Sequence, residues 1–376
     1  MKKRELYYIT YQVFPNPKAN NLQTIRMVDA LNSLFFKVNL IFPDRQINLD
    51  TDDIYSFYNI QTKLNIIKLK HFLPFDKVKQ FKKINFIFSS FIWSFYAVMK
   101  ILKTSAPDAV YMTRTNFVLL FLLLNNKTVI YDCHKFSKID NLIFKLFSRK
   151  NNVLIVFSTQ TLRDSFKLTS NLLKNSISIH SSFEANNFPK NISKIEKRVV
   201  FVGQLLRFEK TRNIDFLIKC FKDSRLKEFE LVIVGGPDIE IKKLQSIGIP
   251  SNVFLKGQLT NTASLEEICK GEIGILINDE TSHSMHYTSP IKYFEYLKAK
   301  NKIVAVNFAS HLNLPMNENN FYFEHNNIDS FVENILRASK KSFIFNPEIN
   351  NYSYESRART IYQQLARLEG LEPPTL

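Results

Sequence analysis

SPIKYFEYLKAKNKIVAV, residues 289–306, decides the reading of this chain, because it runs from a ligand-binding helix straight into a buried strand. Ser289 is suited to cap the helix, Pro290 to open its first turn, and Ile291 and Lys292 follow. Lys292 sets a cation beside the unpaired N–H groups of that turn, which makes an anion site. Glu295 stands about one turn further in, where a carboxylate accepts two hydrogen bonds from a vicinal diol such as a ribose. Together the pair points to a nucleoside diphosphate. An ordinary amphipathic helix with Ile291, Phe294 and Leu297 turned inward is the plain alternative.

Four segments upstream form the setting for that helix. VVFVGQLLRFEKTRNIDFLIKCF (199–221) reads as strand, loop and helix, and FELVIVGG (229–236), NVFLKGQL (252–259) and GEIGILIND (271–279) each read as a strand with its turn. In this order the five segments resemble the donor lobe of family 4 glycosyltransferases. The resemblance covers roughly residues 195–310 and implies an α/β protein of two Rossmann-like lobes, the glycosyltransferase-B fold, with the active site in the cleft between them. It also implies a retaining transferase that moves a sugar from a nucleotide-sugar to an acceptor, the leaving diphosphate assisting deprotonation of the acceptor.

Carried over residue by residue, the resemblance assigns the ribose to Glu295 and the donor diphosphate to the loop from Gly203 to Lys210, with Arg207 and Lys210 as cationic clamps. Gln204 stands where the family commonly has arginine, and the loop is one residue longer. Tyr287 stands where a second glutamate is common. Glu280 or Asp279, in the same NDETSHSMHYTSP stretch, is the substitute carboxylate for the donor sugar, or else a solvated loop residue. His283 and His286 lie three apart, but two histidines without a third ligand make no metal site, and the fold characteristically works without a metal. His286 and Tyr287 read instead as a polar wall near the sugar. His134, in YDCHKF (131–136), follows a strand and occupies a place where similar enzymes turn a histidine into the cleft; lysine 210 and this histidine are the two catalytic candidates. Cys133 alternates to the opposite face and is not its partner.

Composition is consistent with this frame. A chain of 376 residues is long enough for two domains. All eight glycines lie at or after Gly203, so the strand-end turns that approach phosphate belong to the second half. Alternating strands and helices, with strands near 5–10, 36–42, 109–112, 128–132 and 153–157 in the first half, predict parallel sheets with crossover helices. The polar run EANNFPKNISKIEK (184–197) suggests the break. We therefore expect an acceptor lobe over 1–190, a donor lobe over 191–345, and a C-terminal helix within 346–376 that returns to the first lobe. Cys133, Cys220 and Cys269 have no metal-ligand spacing, which favours a reduced, cytoplasmic setting.

The formal net charge of +17 demands a partner. No nucleic-acid-binding signature is present. DKVKQFKKINFIFSSFIWSFYAVMKILKTS (76–105) flanks an apolar run with lysines, and its serines, Asn85 and Lys100 disfavour a membrane span. It reads as a helix on the first lobe that touches an anionic membrane from its inner face. A glycan or lipid-linked acceptor in cell-surface polysaccharide biosynthesis suits such a lobe, with no cofactor beyond the nucleotide-sugar. Two other classes stay open: a nucleotide-sugar epimerase of the same fold, and a non-catalytic glycan- or membrane-binding relative.

Overall fold

The computed structural model describes residues 4–35, 37–45, 51–60, 62–73, 82–186, 188–207, 210–246 and 248–371, without side chains at 51–52, 82–83, 207, 210 and 211. Lys77 and Lys79 therefore lie outside the described residues, as do the side chains of Lys82, Lys83, Arg207 and Lys210.

The chain divides into two compact units, residues 1–180 with 354–376, and residues 181–353. The first contains β1 (Glu5–Ile9), α1 (Ala19–Asn32), β2 (Lys37–Asp44), α2 (Thr51–Tyr58), β3 (Asn65–Lys70), α3 (Lys82–Leu102), β4 (Val110–Thr113), α4 (Asn116–Leu124), β5 (Val129–Cys133), α5 (Lys138–Leu146), β6 (Val153–Phe157), α6 (Gln160–Ser165), α7 (Ser170–Lys174) and β7 (Ser176–Ser178). Its strands form one parallel sheet in the order β3-β2-β1-β4-β5-β6-β7, with Ile9 beside Ile41 and Tyr8 beside Met112. The order reverses between β1 and β4, so the loops after these strands part and leave a crevice at their carboxyl ends.

The second unit contains β8 (Arg198–Val202), β9 (Leu206–Arg207), β10 (Lys210–Thr211), α8 (Ile214–Cys220), β11 (Glu230–Val234), α9 (Asp238–Ser246), β12 (Val253–Leu255), α10 (Asn261–Lys270), β13 (Ile273–Leu276), α11 (Ser282–His286), α12 (Ile291–Lys298), β14 (Lys302–Val306), α13 (Ala309–Leu312), β15 (Asn320–Phe323) and α14 (Ile328–Ser339). Six strands form a parallel sheet in the order β12-β11-β8-β13-β14-β15, and β9 and β10 make a separate antiparallel hairpin. Apolar runs such as Val199–Val202 and Leu231–Val234 are buried along their length, as strands covered by helices on both faces must be. Here the order reverses between β8 and β13.

Both unit boundaries depart from the sequence reading, which put them at 190/191 and 345/346. Phe183 is fully buried in the core of the second unit, and Ser181 bonds to Ser289 through its N–H and its hydroxyl. The polar run 184–197 is thus a surface segment inside that unit and not the break. At the other end, α15 (Tyr354–Leu368) inserts Ala358, Ile361 and Leu365 among Ile25, Val28 and Leu31 of the first unit, with Tyr362 edge-on to Phe35. Residues 346–353, expected to begin this helix, form a short 3-10 turn that stays with the second unit.

Helix α3 is turned with its less apolar side inward. Ser89, Ser90, Trp93, Ser94, Ala97 and Val98 are buried, whereas Ile84, Phe88 and Phe95 are more than half exposed. Phe91 and Phe95 keep an edge-on contact with Phe121 of α4.

Candidate active site

In the second unit, α12 is fixed by one close approach. Gly274 of β13 lies under the Tyr296 ring, and a Cβ there would stand 2.5 Å from Tyr296 Cγ. The Tyr296 hydroxyl reaches through to accept from the Val202 N–H at 3.2 Å. Glycine on the strand thus lets the aromatic ring seat the helix, and the seating sets its neighbour Glu295.

Glu295 is buried, at 3 % exposure, and its Oε2 is 2.5 Å from Lys292 Nζ. One turn of helix aligns it with Lys292, and the cation offsets the cost of burying the carboxylate. The helix start differs from the sequence reading. Pro290 is the N-cap and α12 begins at Ile291, while the Ser289 hydroxyl makes no cap because it accepts from the Ser181 N–H at 2.9 Å. Ile291 is buried, as its apolar side chain requires.

Gly203 follows β8 directly, donating its N–H to the Val234 carbonyl at 2.9 Å. Gln204 donates to the side chain of Gln258, in the segment after β12, at 3.0 Å, so its amide is engaged by a neighbouring loop. Arg207 and Lys210 pair across the hairpin of β9 and β10. Sequence reading missed Arg212, whose Nη1 lies so near Gly203 that an added Cβ would come within 2.7 Å of it. A basic residue two after Lys210 was the available signal.

The stretch expected to be a loop after β13 contains α11, capped by the Thr281 hydroxyl, which accepts from the Ser284 N–H. His286 Nδ1 is 3.1 Å from the Ser282 carbonyl, and Tyr287 packs near both His283 and His286. The two acidic residues have separate fates. Glu280 Oε1 is paired with His325 Nδ1 at 3.0 Å. Both Asp279 carboxylate oxygens are shielded from solvent and have no hydrogen-bond partner among the described residues.

The first unit carries its own constellation at the end of β5. Asp132 Oδ2 is 2.8 Å from His134 Nε2, and Asp132 Oδ1 accepts from Arg357 Nη2 at 2.8 Å. Burial works against ionising Asp132, but His134 and Arg357 outweigh it and hold the carboxyl well below the usual range. Burial lowers His134 to about 4 against the pull of Asp132. Cys133 is buried between them in sequence but on the other face, and burial pushes its thiol well up. Nearby in the chain order of the sheet, Tyr11, just past β1, bonds through its hydroxyl to His71 Nε2 and Ser89 Oγ, both at 2.7 Å, with the Arg45 guanidinium 4.1 Å over its ring. Neither this network nor Arg357 was foreseen, since their members are far apart in sequence.

No family model and no curated protein matches the sequence. Solved structures do. Sucrose-phosphate synthase from Thermosynechococcus elongatus superposes with a TM-score of 0.69 at 14 % identity, covering 98 % of this chain and 100 % of its own. An E. coli trehalose-6-phosphate structure bound with UDP-2-fluoro glucose gives 0.66 at 11 % identity, with 98 % and 100 % covered. WaaG, a glycosyltransferase involved in lipopolysaccharide biosynthesis, gives 0.57 at 9 % identity, with 96 % and 98 % covered. The chain has the glycosyltransferase-B fold. In the terms of that fold, the expected two Rossmann-like lobes are the two units described above, and Gly203, α12 and Asp279 all sit at the carboxyl side of the sheet of the second lobe.

Proposed function

We propose that the protein is a retaining glycosyltransferase whose second lobe takes a nucleotide-sugar and whose first lobe supplies the acceptor groups. The observation that carries this reading is the buried Glu295–Lys292 pair on the helix beside the β8/β13 switch point. Its carboxylate accepts the ribose hydroxyls. Lys292 is shared between that carboxylate and the diphosphate, and Lys210, Arg207 and the unforeseen Arg212 add positive charge as the glycosidic bond breaks. In this proposal these cations stand in for a metal. No enzymatic nucleophile is required either, because the leaving diphosphate takes up the acceptor proton.

Asp279 is the substitute carboxylate for the donor sugar, since Glu280 is occupied by His325. His286 and Tyr287 are the polar wall near that sugar. His134 serves the reacting hydroxyls from the first lobe.

The acceptor is a glycan or a lipid-linked sugar, and the process is cell-surface polysaccharide synthesis at the inner face of the membrane. Support comes from α3, whose outer stripe of Ile84, Ile87, Phe88, Phe91 and Phe95 is more apolar than its buried stripe and ends in exposed Lys100 and Lys103. Such a helix lies along an anionic surface.

One observation favours a second reading, a non-catalytic relative: Gln204 gives its amide to Gln258 where a cation would meet phosphate. Incubating the purified protein with a panel of nucleotide-sugars, with and without glycan acceptors, separates the cases. Acceptor-dependent release of nucleotide, with the anomeric configuration kept in the product, is expected. Binding without turnover would favour the non-catalytic relative, and an epimerised sugar released without acceptor would favour the epimerase.

A further inference from the structure

Asp132 and His134 are two apart on an extended strand end, so their side chains leave on the same face. Asp132 is 5 % exposed and spends both oxygens, one on His134 and one on Arg357. Arg357 is 3 % exposed and held at two further points, donating from Nη1 to the Ile179 carbonyl at 2.5 Å and the His180 carbonyl at 2.8 Å. It has no freedom to turn to another partner. An ionised carboxylate only accepts, so the hydrogen between Asp132 and His134 resides on Nε2. The other ring nitrogen, Nδ1, is then the acceptor.

The charges that face the imidazole are Asp132 from β5, Arg114 from the turn after β4, and Arg357 from α15, with His180 beside Arg357. Asp132 alone would draw a proton onto the ring. Burial opposes it most strongly, and Arg114 and then Arg357 add to that effect.

We propose that Arg357 is a positioning residue that locks Asp132 and thereby presents His134 to substrate as a neutral ring, Nε2–H on Asp132 and Nδ1 open to a hydroxyl. The use of that hydroxyl contact rests on the glycosyl-transfer reading; the device itself does not. It also gives the return of α15 to the first lobe a chemical consequence, because the C-terminal helix delivers the guanidinium.

The test is a nitrogen-15 NMR titration of the histidines in the full chain without donor or acceptor, so its outcome is independent of whether sugar is transferred. In the wild type, His134 should show the Nε2–H tautomer at neutral pH and stay uncharged down to about pH 4. Arg357→Gln should move its titration upward, as one nearby cation is lost and Asp132 is released from its second partner, and Arg357→Lys should restore most of that shift. A wild-type His134 that is charged or carries its hydrogen on Nδ1 at pH 7 overturns the proposal even if the glutamine variant does not fold. A folded glutamine variant with unchanged tautomer and titration overturns it as well.

Discussion

Glu295 and Asp279 are two carboxylates in opposite circumstances, and residue-scale physics separates their roles. Glu295 is buried with a cation already in place, so in its proposed role it would bind a diol without losing its charge balance. Asp279 has its oxygens out of solvent with no hydrogen-bond donor on them among the described residues, a costly arrangement that a ligand hydroxyl would relieve. Asp279→Asn should therefore lower kcat/KM for the donor by about 10-fold to 100-fold, the range for a hydrogen bond to a charged group. Glu280→Gln should change it less than about twofold, since Glu280 is more than half exposed and bound to His325. Steady-state kinetics on the two variants decides between them, and a larger loss at Glu280 would reverse the assignment. Lys210→Ala should reduce turnover more than it weakens binding of the bare nucleoside, because charge grows on the diphosphate only as the bond breaks. Equal losses would make Lys210 structural. The sequence pattern put forward Glu295, Lys292 and Lys210 as donor-site candidates because one helix and one hairpin carry them. It did not reach the commitments of neighbours: that Ser289 bonds Ser181, or that Arg357 bonds Asp132, depends on residues more than a hundred positions away.

At the scale of elements, the parallel strands and their crossover helices were legible from apolar runs bounded by glycine and polar turns, as in β8, β11, β13 and β14. The missed elements failed for specific reasons. Helix α4 is NFVLLFLLL, a continuous apolar run in which periodicity cannot tell strand from helix. Strand β3, NIIKLK, has only one fully buried position and lies at the sheet edge, so its pattern is weak. Helix α12 is the element on which the site depends. Gly274→Ala should drive a methyl into the Tyr296 ring and destabilise the protein by about 1–3 kcal/mol, as overpacking does. Denaturant unfolding measures it; a loss under about 0.5 kcal/mol, the scale of an unremarkable surface change, would mean that Tyr296 does not seat α12. Helix α3 supplies the other prediction. The protein should sediment with anionic liposomes and much less with neutral ones, and replacing Ile84 and Phe88 by Ser should abolish sedimentation with little loss of stability, because both side chains are more than half exposed. Unchanged sedimentation in the double variant would remove α3 from the membrane account.

For the whole molecule, buried titrating groups set how stability responds to pH. His134 and His180 are both lowered by burial to about 4, so between there and the ordinary imidazole value near 6.5 the unfolded chain binds more protons than the folded one. Stability from these two groups is present above that window and lost as pH falls through it. Asp140 acts oppositely, since burial raises it to about 6 and the folded state keeps its proton where the unfolded state does not. Asp132 and Asp223, both held low by cationic or N–H partners, lose their contribution only in stronger acid. Two imidazoles against one carboxyl give a net rise in Tm from about pH 4.5 to 6.5, and a Tm that falls over that range would contradict the assignment of His134 as neutral. The net charge of +17 acts in addition, through self-repulsion and attraction to anionic surfaces, and should make liposome binding fall with salt. The proposed function stands on one binding event. Calorimetric titration of uridine, guanosine and adenosine diphosphates and their sugar conjugates into the full chain, repeated with Glu295→Gln, tests it most directly. One nucleotide should bind the wild type, and the variant, still folded, should bind it about 10-fold to 100-fold more weakly. Binding of none of these ligands, or equal affinity in the folded variant, would contradict it.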